Sequence, residues 1–244
     1  MAVFVQSLVA TFAMLGLAIA PAVAQTLRVA HDRQFAPFAE SRNGQSVGLA
    51  VDLLTQAGAR AGLTIEYIAV PFPELQKTLA DGRADAIFPS GVNPERKLTF
   101  DFSSPLLLTG GALFMRAPEP TPDLKALAGK TVVTPRTGPL AAYIQKNAPD
   151  VKLVVTADYD ESLGKLMSGE ADAAALNVQV GARLAARLHP GKITPPSKMF
   201  FELPLAVAVP KGKSAETIAK LDRGIAAIRA DGAWQRINTE WAAQ

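Results

Sequence analysis

Thirteen consecutive columns of the chain repeat at an offset of 87 residues. Residues 74–86, ELQKTLADGRADA, align with residues 161–173, ESLGKLMSGEADA, with six identities. Such a duplication restricts the fold to two copies of one supersecondary unit. In each copy an apolar-periodic segment stops at a glycine, Gly82 or Gly169, where a left-handed helix end suits a residue without a Cβ. A run of small and apolar residues follows, AIF in the first copy and AAAL in the second, and reads as a buried strand. Two similar α/β lobes are therefore predicted, each ending this unit on a strand tip that faces the other lobe. A cleft between lobes is a common place for a small ligand.

The first 25 residues contain no Asp, Glu, Lys or Arg, and Ala22, Val23 and Ala24 supply the small-x-small pattern of a secretory cleavage site before Gln25. Residues 1–24 are predicted to be a signal peptide and the compartment the periplasm. Gln6, Ser7 and Pro21 favour cleavage over the alternative, a retained membrane anchor. The remainder is long enough to bury a core as one large or two small domains. Cysteine is absent, which excludes disulfides, thiol nucleophiles and thiolate metal sites. The net charge of +3 comes from Lys and Arg scattered among acids, with no basic run, so a nucleic-acid surface is not expected. No His, Asp and Glu cluster has metal-ligand spacing, so neither metal nor cofactor is implied.

Periodicity predicts a strand over 26–30, a loop HDRQFAPF, a helix over 49–61, a strand over 63–70, a helix over 74–79 and a strand over 84–88. This βαβαβ order implies parallel strands covered by helices. The style returns as strand 130–134, helix 140–147, strand 151–155, helix 161–167, strand 171–176 and helix 178–188. Strands over 111–116 and 203–210 flank that second series and read as two crossovers. Lobe one then comprises residues 25–115 and 206–244, including C-terminal helices over 215–229 and 232–241, and lobe two comprises residues 116–205. Two such connectors form a hinge that lets the lobes close on a ligand.

Six stretches, in order, carry a family resemblance: LRVAHDRQFAPF (27–38), VGLAVDLL (47–54), GRADAIFPSGVNPERKLTFDFSSP (82–105), LAGKTVV (127–133), SGEADAAALN (168–177) and IRADGAWQRINTEWA (228–242). The chain resembles the extracellular solute-binding proteins of family 3, the periplasmic receptors of ABC importers. The resemblance implies an α/β, two-lobed periplasmic-binding-protein-like fold of type II, with two parallel-sheet lobes joined by two hinge strands. It implies a small-molecule carboxylate ligand, an organic acid or amino acid, and ABC permease subunits as partners of a monomeric receptor.

Arg96 leads the candidate site. Asn93, Pro94, Glu95 and Arg96 read as a helix start with an asparagine N-cap, and a guanidinium fork holds a carboxylate bidentately. The resemblance implies that this arginine grips the ligand carboxylate, with Ser90 and Gly91 nearby. Phe35 and Phe72 are candidate aromatic walls. Asp32 falls where the family places a polar residue near the ligand side chain. Thr137 and Gly138 follow a strand and open a helix, an arrangement that favours an anion; Pro139 completes a Thr-Gly-Pro where the family has Gly-Thr-Thr. Asn177 stands where amino-acid receptors of the family usually carry an aspartate for the α-ammonium group. Asparagine supplies no negative charge, so organic acids are expected over free α-amino acids unless Asp32 or Glu202 substitutes. The expected function is a receptor rather than an enzyme. The alternatives are a periplasmic dehydratase of the prephenate or arogenate type, which would need an acid or base in the cleft, and a dehydrogenase-associated or sensory binding protein.

Overall fold

A computed structural model of the chain describes residues 25–135 and 139–242. The segment read as a signal peptide, and Thr137 and Gly138, lie outside the described residues. The chain opens with β1 (Gln25–Asp32) and continues into a small antiparallel sheet of β2 (Gln34–Phe35), β3 (Ala39–Arg42) and β4 (Gln45–Val47). Asn43 and Gly44, both at positive φ, make the turn between β3 and β4, as an Asn-Gly hairpin turn requires. Then follow α1 (Leu49–Arg60), β5 (Leu63–Val70), α2 (Leu75–Ala80) and β6 (Ala86–Gly91). β1 is parallel to β5 along its whole length and parallel to β6 on its other side.

After β7 (Phe100–Phe102) the chain runs out along β8 (Leu107–Arg116). It builds β9 (Thr131–Pro135), α3 (Pro139–Asn147), β10 (Lys152–Thr156), α4 (Tyr159–Ser168), β11 (Ala173–Asn177), α5 (Val178–Leu188) and β12 (Ile193–Thr194). It returns along β13 (Met199–Pro210) to α6 (Ala215–Ala230) and α7 (Ala233–Ala242). The main sheet has the order β10-β9-β11-β8-β13-β6-β1-β5. Two parallel triplets, β10-β9-β11 and β6-β1-β5, flank a central pair, β8 and β13, that is antiparallel within itself and to each adjoining strand. The two crossing strands thus lie side by side, and each parallel group gains an antiparallel strand from the connector.

The duplicated segment does the same work twice. Asp85 accepts the backbone N–H of Arg28 at 2.9 Å while its own N–H donates to the Arg28 carbonyl at 2.8 Å. Asp172 does the same with Thr131, at 2.8 Å in both directions. The repeated Ala-Asp therefore clamps the first strand of each parallel group to the turn after the repeated helix. Gly82 and Gly169 take φ values of 70 and 83 degrees at those turns, as glycine readily does.

Two cores form on this frame. Leu27, Val29, Leu53, Leu54 and Ala57 pack with Leu221, Ile225 and Ile228, so the C-terminal helices close over α1. Phe114, Val133, Leu163, Leu166 and Leu176 make the second core on one sheet face, and Leu113, Val132, Ile144 and Ala175 cover the other. Each fully buried Leu, Ile or Phe contributes about 1.5–3 kcal/mol. Val180, Tyr159 and Leu184 of the second group pack into the cluster that holds Phe35 and Phe38, so the two lobes touch beside the cleft. Among the described residues no helix is long and apolar enough to cross a membrane.

Candidate functional site

A cavity of about 140 Å³ lies where the tips of β1, β6 and β11 meet the crossing strands. Asp32, Phe35, Phe72, Gly91, Arg96 and Asn177 all line it, so six of the residues singled out in the sequence converge from six segments. Ser90 lines instead an adjoining chamber of about 380 Å³, which shares Phe72, Leu75, Pro89, Arg96 and Pro139 with the first. Arg96 stands on the wall between the two.

Arg96 is held from below. Asn93 accepts the Arg96 backbone N–H at 2.8 Å, but it caps a short 3-10 turn, Arg96–Leu98, rather than the α-helix expected from the motif. Thr99, with its N–H bonded to the Arg96 carbonyl, ends the turn and leads into β7. The guanidinium donates to the hydroxyl of buried Ser90 at 2.9 Å. Burial pushes the guanidinium's pKa down, partly offset by Glu95, yet an arginine remains cationic at any physiological pH. Among the described residues it has no ion-pair partner. The cavity wall therefore presents a partly desolvated cation fitted for an anion from elsewhere.

Asp32 ends β1, is 5% exposed, and accepts the backbone N–H of Gln34 at 3.0 Å. His31, beside it, is buried between Asp32 and Ser46. One ring nitrogen, Nδ1, lies 2.9 Å from the Asp32 carbonyl and the other 2.7 Å from the Ser46 hydroxyl, which makes the ring a neutral strut, with burial pulling its pKa down. The histidine thus serves structure, and Glu202 sits exposed on β13, away from the cavity lining.

Asn177 is engaged more fully than its sequence position implies. It is the N-cap of α5: its Oδ1 accepts from Gln179 N and Val180 N, both at 3.2 Å. Its Nδ2 donates to Thr109 at 2.7 Å, and the Thr109 hydroxyl donates onward to Gln179 at 2.5 Å. Because the backbone N–H groups need an acceptor, the amide orientation is fixed by the cap.

Apolar residues close the rest of the cavity: Leu75 from α2, Leu140 from α3, and Phe201, Leu203 and Leu205 from β13. Sequence reasoning did not pick out these β13 positions, which read only as connector. Gly110 and Gly111 line it too. A Cβ on Gly110 would lie 2.0 Å from the Phe201 carbonyl, and one on Gly111 would lie 2.3 Å from Leu140. A glycine doublet inside a strand pattern was the available signal for that close approach. Among the described residues no group of His, Cys, Asp or Glu is placed to hold a metal ion.

Two α/β lobes, a crossed strand pair and a mostly apolar interlobe cavity with one cation define the class of two-lobed binding proteins. Residues 27–244 match the bacterial extracellular solute-binding proteins, family 3, and the chain belongs to that family. It is 28% identical over 211 residues to the virulence sensor protein BvgS of Bordetella pertussis, a match that takes in 84% of this chain but 17% of the sensor. It is 26% identical over 209 residues to the ABC transporter arginine-binding protein 1 of Escherichia coli, covering 83% and 84% of the two chains. A histidine kinase sensor domain similar to periplasmic binding proteins superposes with a TM-score of 0.80 at 25% identity, over 90% of this chain and 96% of that one.

Proposed function

We propose that the protein is a periplasmic receptor that captures a small carboxylate-bearing ligand on Arg96. The observation that carries this reading is the partly buried Arg96 guanidinium, which lines the cavity with a serine hydroxyl as neighbour and no carboxylate of the described residues paired to it. Lobe one, residues 25–115 and 206–244, holds the anion; lobe two, residues 116–205, completes the shell, and ligand binding selects the closed form. The closed receptor, a monomer exported by its signal peptide, delivers its ligand to the membrane subunits of an ABC importer. Kinship to both a transporter binding protein and a sensor supports a second reading of the same capture step, in which closure reports ligand to a signalling partner. No catalytic step is assigned.

Mass spectrometry of small molecules released from gently purified protein tests the reading. A single carboxylic acid released in near-equimolar amount, whose re-addition raises the melting temperature, is the expected result. If the co-purifying ligand lacks any carboxylate or other anionic group, the proposal fails.

A further inference from the structure

The cavity carries one negative charge as well as one positive. Asp32 and Arg96 line it from different elements, the end of β1 and the 3-10 turn after β6. They do not pair with each other: the acid that Arg96 feels is Glu95. A ligand with only a carboxylate would leave the Asp32 charge enclosed beside an anion, a costly arrangement. A ligand bearing both charges matches both walls.

Asn177 decides where the ligand's positive charge can sit. Both lone pairs of its Oδ1 are taken by the α5 cap, and one Nδ2 hydrogen goes to Thr109. Thr109 is fully buried and its own hydrogen is committed to Gln179. What Asn177 retains toward the cavity is a second Nδ2–H, a donor. That part of the wall can serve a hydroxyl, a carbonyl or a C–H, but offers no acceptor to an ammonium group.

We propose that the ligand is an acid with a distal cation and no α-ammonium group: its carboxylate on Arg96, its ammonium or guanidinium at Asp32. Phe35 and Phe72 line the same cavity, and aromatic faces attract a desolvated cation. The volume agrees. A cavity of roughly 150 Å³ holds a benzene ring, so this one of about 140 Å³ suits a short chain between two charged ends. The inference rests on the carboxylate reading of Arg96 and adds the second charge and its position.

Calorimetry with gamma-aminobutyrate, guanidinobutyrate, butyrate, alanine and arginine, on the full mature chain, tests it. One of the two distal cations should bind about tenfold or more tighter than butyrate and than either α-amino acid. Asp32→Asn, which keeps the acceptor for the Gln34 N–H, should remove that preference over butyrate while leaving butyrate binding unchanged. Asn177→Asp, which keeps the helix cap, should raise affinity for alanine or arginine. Butyrate as the tightest ligand, still dependent on Arg96, overturns the distal cation but leaves the carboxylate reading standing. Arginine or alanine as the tightest ligand, or no binding by any member, overturns the inference. Binding that ignores Arg96→Ala overturns both.

Discussion

Replacing Arg96 by alanine separates a binding role from a structural one. The guanidinium has one side-chain hydrogen bond, to Ser90, and burial lowers its pKa, so in the ligand-free protein its charge is a mild cost. Once a carboxylate occupies the cavity, the pair is enclosed by Phe72, Leu75, Leu140 and Leu203. Truncating one partner of a buried charge pair costs about 2–5 kcal/mol. The lower half of that range applies, because Arg96 is not fully buried and borders the wider chamber. Arg96→Ala should therefore weaken binding of the co-purified acid by about 2–3 kcal/mol, roughly 30- to 150-fold in Kd, with the urea midpoint of the ligand-free protein unchanged or slightly raised. Arg96→Lys, which keeps a charge without the fork, should fall between. Calorimetry reads the affinity and urea titration the stability; an unchanged Kd for Arg96→Ala refutes the assignment, and a collapsed urea midpoint shows that the residue is structural.

Other consequences concern the frame around the cavity. Gly224→Ala would place a Cβ 2.0 Å from the Ala57 carbonyl where α6 crosses α1, and should cost about 1–3 kcal/mol in urea unfolding; a neutral result would show that the two helices are not tightly seated. Asp172→Ala, which leaves the Thr131 N–H without its acceptor, should lose about 1–2 kcal/mol, and a loss under ~0.5 kcal/mol would mean that the repeated clamp contributes little. Burial sets the folded-state pKa of His31 below its ordinary value of 6.5, so the unfolded chain takes up the proton first. The stability from neutral His31 is full above that value and declines as pH falls through it. The urea midpoint should drop between pH 7 and pH 5, more steeply than in His31→Gln, and equal slopes in the two proteins would reject the assignment.

Much of the frame was legible because its signals are local and periodic. The 3.6-residue pattern located α1 and α5, and the repeat located α2 and α4 with their glycine stops. The Asn-Gly turn at Asn43 and Gly44 carried a hairpin signal, but β3 and β4 are too short for alternation to register. The convergence of Asp32, Phe35, Phe72, Gly91, Arg96 and Asn177 followed from strand tips pointing at one cleft, a property of topology that family resemblance supplies. Two things were not legible. The contribution of Phe201, Leu203 and Leu205 depends on β13 pairing antiparallel with β8 across the cavity floor, a register that no single segment encodes. The engagement of Asn177 depends on Thr109, which lies 68 residues away along the chain.

The most direct test of carboxylate capture is a crystal structure with the co-purified ligand bound. The account predicts a carboxylate in the cavity with its oxygens about 2.7–2.9 Å from the Arg96 guanidinium nitrogens. Ligand density elsewhere on the molecule, or a neutral group against Arg96, would contradict it.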